Sequence, residues 1–177
     1  MKISNEGLNM IKKWEGFCPK PYKCSAGVPT IGYGATFYPN GRKVTMEDKP
    51  ISDAQALVML SNMVTNNFER YVDSYVISEV KQNQFDALVS LSYNIGVGAL
   101  KGSTLLKLVN ANPNDPKIAD EFMKWNKVKG KEIAGLTNRR KEEVAMYFQK
   151  PSNESKPVQD GAILSNMKEF FKSLLNS

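Results

Sequence analysis

The sequence predicts an α+β fold, mostly helical, with a small antiparallel sheet near its start and helices after it. Three observations predict this. Residues 17–44 alternate short β-type runs with Gly and Pro. From Ser52 onward, apolar residues recur at helical spacing. The 177 residues, 41% of them hydrophobic, suffice to bury a core without metals or disulfides.

The first element is a helix that Ser4 caps. Ile3 before the cap and Leu8 four residues after it have hydrophobic-staple spacing. Leu8 and Ile11 share a face, and Glu15-Gly16 ends the helix, because Gly suits the left-handed position past a helix C-terminus. Between Phe17 and Val44, runs such as Thr30-Ile31-Gly32-Tyr33 read as strands, and Asn40-Gly41 signals a hairpin turn. Ser52 with Gln55 forms a capping-box pattern. The helix it starts, from Asp53 to about Val76, carries Leu57, Leu60, Val64 and Phe68 at helical spacing and is long enough to link two lobes. Further helices are expected over 82–93, 104–110, 116–125 and 138–148, with breaks at Gly96, Gly98 and Gly102. Residues 150–162 read as a linker, and 163–177 as an amphipathic helix.

Composition bounds the chemistry. The chain has no histidine, so Ser-His and Cys-His nucleophilic schemes are excluded, and acid–base work falls to carboxylates, Cys, Tyr or Lys. Its two cysteines, Cys18 and Cys24, lack zinc spacing, and a short-range disulfide between them stays open. No metal site is expected. The net charge of +6 and pI near 9.2 suit an anionic partner, or simply a basic soluble protein. No recognised nucleic-acid motif accompanies the charge, so nucleic acid is not the expected partner. Residues 1–13 lack the apolar stretch of a signal peptide, and no run reaches the ~18 apolar residues of a membrane span.

Glu15 is the leading chemical candidate. A carboxyl at a helix C-terminus meets the negative end of the dipole, which favours the protonated form, and Trp14 and Phe17 add desolvation. A protonated carboxyl is what donation to a glycosidic oxygen needs. Taken alone, an ordinary solvated Glu near a helix end is the better reading.

The surrounding pattern points further. Glu15-Gly16, Tyr22, Cys24, Gly27 and Thr30-Ile31-Gly32-Tyr33-Gly34 resemble the active-site segment of the phage-type lysozymes, glycoside hydrolase family 24. That family sets an Asp or Cys after eight residues beyond its Glu, and a Thr after five more; Glu15, Cys24 and Thr30 keep the spacing. Ser92-Tyr93-Asn94-Ile95-Gly96 with Ser103-Thr104-Leu105, and Gly135-Leu136-Thr137-Asn138-Arg139-Arg140 with Glu143, resemble later family segments. The resemblance runs from about Ile3 to Gln149. Two positions depart from the common pattern: Cys24 stands where Asp is usual, and Ala35 where His often stands.

The resemblance implies a lysozyme-like domain over 1–149, with a small sheet-containing lobe (1–52), a linking helix and helical lobe (53–149), and a cleft for the glycan between them. It implies that Glu15 protonates the leaving oxygen between N-acetylmuramic acid and N-acetylglucosamine of peptidoglycan, and that Thr30 positions water. Cys24 takes the second acid's place, either as a thiolate that Lys20 and Lys23 favour or as a neutral spectator; both readings stand. Tyr22 and Tyr33 are candidates for stacking on sugar rings, and Asn94 for bonding an N-acetyl group; Phe37 is a further stacking candidate. Arg139 and Arg140 read as anchors for carboxylates inside the helical lobe. No cofactor is implied.

The implied setting is a monomeric phage endolysin, kept in the host cytoplasm until released onto the periplasmic cell wall. The rivals are a lytic transglycosylase on the same scaffold and an inactive peptidoglycan-binding module. Residues 163–175 have packing on the domain as the default, with pairing between copies or weak association with membrane or lipopolysaccharide as alternatives.

Overall fold

The structure is a computed structural model and describes residues 1–24 and 26–149. The linker and tail helix expected over 150–177 lie outside the described residues. Among the described residues, eight α-helices and four short strands run in the order α1 (Asn5–Glu15), β1 (Cys18–Lys23), β2 (Pro29–Gly32), α2 (Asp53–Val64), α3 (Arg70–Tyr75), α4 (Gln82–Ile95), α5 (Val97–Lys101), α6 (Thr104–Ala111), α7 (Lys117–Met123), β3 (Lys127–Val128), β4 (Lys131–Glu132) and α8 (Ala134–Phe148). The fold class is the one the sequence predicts, mostly helical with small antiparallel sheets.

The chain divides into two compact units. One comprises Met1–Trp14 and the described residues from Val64 onward; the other is Glu15–Met63. The sequence reading placed the division at 52/53 and kept α1 with the small lobe. In the structure, hydrogen bonds hold the start of α1 in the larger unit. The Ile3 backbone N–H donates to Glu69 at 2.7 Å, and the Ser4 N–H donates to buried Asp86 at 2.9 Å.

Within the larger unit, α4 is buried from Gln84 through Ser92 and packs chiefly against α8. A helix covered on all sides needs its polar groups paired. Asn83 meets this need at the end of α8, donating to the carbonyls of Met146 and Tyr147 at 2.9 Å. The Ser90 hydroxyl donates to Glu143 at 2.7 Å. Glu143 in turn pairs with Arg139 at 3.2 Å and Arg140 at 2.8 Å, all three side chains buried. These arginines are therefore the internal anchors that the sequence suggested.

The smaller unit is built on the β1–β2 hairpin. Tyr22 pairs with Thr30 and Lys23 with Pro29, but Cys18 pairs with Gly32, so the register shifts between Cys18 and Tyr22. Pro19 and Pro21 lie in that interval and have no N–H to give a ladder, which fits an irregular edge there. Gly32 has φ +66, and a Cβ on it would stand 2.9 Å from the Ala56 Cβ. Glycine thus lets the hairpin rest on α2. The capping box forms as the sequence predicts: the Gln55 N–H donates to the Ser52 hydroxyl at 3.2 Å, and the Ser52 N–H to the Gln55 side-chain oxygen at 2.8 Å.

Three features differ from the expected elements. A π-helical turn, Thr65–Glu69, interrupts the long helix between α2 and α3. The β3–β4 hairpin fills a stretch assigned to no element. The last helix starts at Ala134 instead of 138.

Candidate functional site

Glu15 is the last residue of α1 and is exposed. Gly16 follows with φ +72, the left-handed turn that releases the chain from the helix into β1. Tyr22 lies near the end of β1, 36% exposed. Burial pushes its phenol pKa up, and the negative forms of Cys18, Cys24 and Glu15 add to the rise. These four side chains therefore lie within one electrostatic neighbourhood, and Tyr22 remains a protonated donor at neutral pH.

Cys24 opens the turn between the strands. Its N–H donates to the Val28 carbonyl at 3.1 Å, and the Gly27 N–H returns to the Cys24 carbonyl at 2.8 Å. The thiol is partly exposed, and its pKa is lowered. The backbone N–H groups of Ala26 and Val28 are the main cause, the Thr30 hydroxyl assists, and partial burial opposes them. The sequence pointed to Lys20 and Lys23 for this effect; the donors are backbone groups of the turn itself. Such a cradle stabilises a thiolate as it would any small anion.

Thr30, on β2, is buried. Its hydroxyl donates to the Val28 carbonyl at 2.9 Å and also lies within hydrogen-bond reach of the Cys24 sulfur. One proton thus has two acceptors, and the hydroxyl oxygen keeps its own lone pairs. Tyr22, Cys24 and Thr30 lie on one hairpin, and Glu15, at the end of α1 just before it, lies in the electrostatic neighbourhood of Tyr22.

Tyr33 is placed differently. It is 3% exposed, its hydroxyl donates to Asp53 at the start of α2, and its ring lies 5.5 Å from that of Phe17. It supports the hairpin from within and offers no open ring face. Phe37, 53% exposed, does present one. Asn94 is exposed in the last turn of α4 and belongs to the larger unit.

Cys18 and Cys24 are both free thiols. Among the described residues no group of His, Cys, Asp or Glu is arranged to hold a metal ion. The sequence reading missed the Ala26 and Val28 donors and the proximity of Cys18 to Tyr22. The signal for the first was the five-residue interval between Cys24 and Thr30, which forces a tight turn with its N–H groups pointing inward.

Residues 12–143 match the model of the phage lysozyme family. The chain is 42% identical over 158 residues to the endolysin of Bacillus phage B103, an alignment covering 89% of this chain and 57% of that protein. It thus spans little more than half the length of that relative. It is 35% identical over 148 residues to the endolysin of Salmonella phage P22, covering 84% of this chain and 99% of that one. The solved structure of the endolysin from Escherichia coli O157:H7 phage FAHEc1 superposes with a TM-score of 0.75 at 39% identity, covering 87% of this chain and 98% of that one.

Proposed function

The chain belongs to the phage lysozyme family, and from that premise we propose that it is an endolysin that hydrolyses the β-1,4 bond between N-acetylmuramic acid and N-acetylglucosamine in bacterial peptidoglycan. One observation carries the proposal. Glu15, exposed at the end of α1, and Tyr22, Cys24 and Thr30, on the hairpin that follows it, all lie inside the matched residues.

In the proposed reaction Glu15 gives its proton to the bridging oxygen as the bond from that oxygen to the anomeric carbon breaks. The Thr30 oxygen holds a water for attack on the same carbon. The Cys24 thiolate stabilises the cationic transition state and takes the proton that the water loses. The products are two free sugar ends, a Glu15 carboxylate and a Cys24 thiol, and proton exchange with solvent restores both groups. The cradle around Cys24 favours this thiolate role over that of a neutral spectator. Tyr22 offers a ring edge and a phenol donor to the sugar, Asn94 a side-chain amide to an N-acetyl group, and Tyr33 stiffens the hairpin from beneath. The protein acts on the host cell wall, after being held in the host cytoplasm until a separate membrane-permeabilising protein releases it.

Mass analysis of the cleaved ends tests bond and reaction together. The expected product is a reducing N-acetylmuramic acid end; a 1,6-anhydro end would identify a transglycosylase instead. Glu15→Gln should slow cleavage by roughly 10²–10⁴-fold. Equal clearing of walls by variant and parent would leave only a binding module.

A further inference from the structure

We propose that the β3–β4 hairpin is a docking surface for a bilayer rich in anionic phospholipid. This function goes beyond glycan cleavage, and none of its residues belongs to the catalytic hairpin.

The two strands pair Lys127 with Glu132 and Val128 with Lys131, and all four residues are exposed. Alternation along a strand puts Val128, Lys131 and Ile133 on one side of the ribbon. Val128 is 52% exposed and Ile133 41%, so two branched apolar side chains flank a lysine in solvent. The turn between the strands is Lys129-Gly130, with φ +49 and +79. Positive φ at both central residues is the tight hairpin turn that favours Asn-Gly. Lys129 is the one non-glycine residue with positive φ among the described residues. A lysine there gives up local backbone preference and places a third cation at the tip.

The element is held firmly at its base. The Ile133 N–H donates to the carbonyl of buried Asn126 at 2.9 Å, and the Asn126 side chain donates to the Thr137 hydroxyl at 3.1 Å. Among the described residues, none of Lys127, Lys129 and Lys131 forms an ion pair.

Charge complementarity identifies the occupant. Lys131 beside the two apolar side chains and Lys129 at the tip, neither in an ion pair among the described residues, suit a surface of phosphate head groups, while Lys127 shares the opposite side of the ribbon with Glu132 and adds only longer-range charge. A soluble polyanion would satisfy the cations but would gain nothing from Val128 and Ile133. At a bilayer these two side chains enter the acyl boundary, while the Lys131 stem lies between them and its ammonium stays among the phosphates.

The test uses the full chain and sedimentation with vesicles of mixed phosphatidylglycerol and phosphatidylcholine, against phosphatidylcholine alone. The parent should bind the mixed vesicles, more weakly as salt rises, and not the zwitterionic ones. Joint replacement Lys129→Gln and Lys131→Gln should lower partitioning roughly thirtyfold. The pair Val128→Ser and Ile133→Ser should also lower it, at unchanged charge. Both variants should cleave soluble glycan as the parent does, which reports that they are folded and separates this outcome from any failure of the enzymatic proposal. Binding by the lysine variant equal to the parent's would overturn the proposal, as would absence of parent binding to mixed vesicles. Full binding by the serine variant, with soluble polyphosphate displacing the vesicles, would reassign the surface to a soluble polyanion.

Discussion

At Cys24 the family pattern's usual Asp is replaced by a group that is ordinarily neutral at pH 7, yet the turn around it is built for an anion. Ala26 and Val28 aim backbone N–H groups at the sulfur, and Thr30 adds a hydroxyl. The sign follows directly. Donors that stabilise the charged form lower the pKa, so more thiolate is present at a given pH than in a free thiol. The alkylation rate of Cys24 by iodoacetamide, followed by mass spectrometry, should therefore reach half its plateau below the usual thiol value of about 8.5. Thr30→Val removes one of the donors and should move that midpoint upward, only partway, because the backbone donors remain. A midpoint at or above the free-thiol value in the parent would show that the cradle does not act on the sulfur. The same logic orders activities. Cys24→Asp supplies an anion at the same place and should retain cleavage. Cys24→Ala leaves the water without a proton acceptor and should cost at least tenfold in kcat.

At the scale of the element, the packing of helix on helix hangs on glycines as much as on apolar stripes. Gly7 lies inside α1, where Ala is intrinsically better by about 1 kcal/mol. A Cβ at that site, however, would stand 2.7 Å from the Ile3 Cγ1 and 2.9 Å from the Asp86 Cβ and Cγ. Asp86 cannot step aside, since it accepts from the Ser4 N–H, the Ser4 hydroxyl and Gln82. The clash wins, and Gly7→Ala should destabilise by about 1–3 kcal/mol in denaturant titration. Ser52→Ala should cost about 1 kcal/mol by removing one half of the α2 capping box. Both glycine punctuation and caps were legible in the sequence: Ser4 caps α1 through the Gly7 N–H at 3.2 Å, and Gly16 ends the helix. Local chemistry specifies such boundaries. The π turn at Thr65–Glu69 was not legible, because an extra residue in a helical turn leaves no mark on an apolar pattern already set by Leu57, Leu60 and Val64. The β3–β4 hairpin escaped for a related reason. Its two-residue strands are too short for alternation to show, and its Lys129-Gly130 turn lacks the usual Asn or Asp. In the site, residue types and spacing were readable. The burial of Tyr33 was not, since it depends on the distant partner Asp53.

For the molecule as a whole, charge is mostly left in solvent, but the larger unit places a charged cluster inside at the α4–α8 contact. Arg139, Arg140 and Glu143 are buried, and Ser90 ties the carboxylate to α4. A buried ion pair adds little net stability compared with apolar residues of the same volume, but losing one member strands the rest without solvent. Here a single carboxylate serves two guanidinium groups, so the asymmetry is sharp. Glu143→Gln keeps size and a hydrogen-bond acceptor but leaves two buried positive charges uncompensated, for an expected loss of about 3–5 kcal/mol. In a chain of this length that corresponds to a fall in Tm on the order of 10 °C. The triple replacement Arg139→Met, Arg140→Met and Glu143→Leu removes the stranded charge together with its partner, and should recover most of the loss. Calorimetry on the parent and both variants separates the two accounts of the cluster. Recovery by the triple variant means that the charges act as a mutually compensated set. Failure to recover would mean that the guanidinium bonds to the Ser90 and Trp125 carbonyls, at 3.4 and 3.3 Å, hold α8 to α4 and to the segment after α7 in a way no apolar filling replaces.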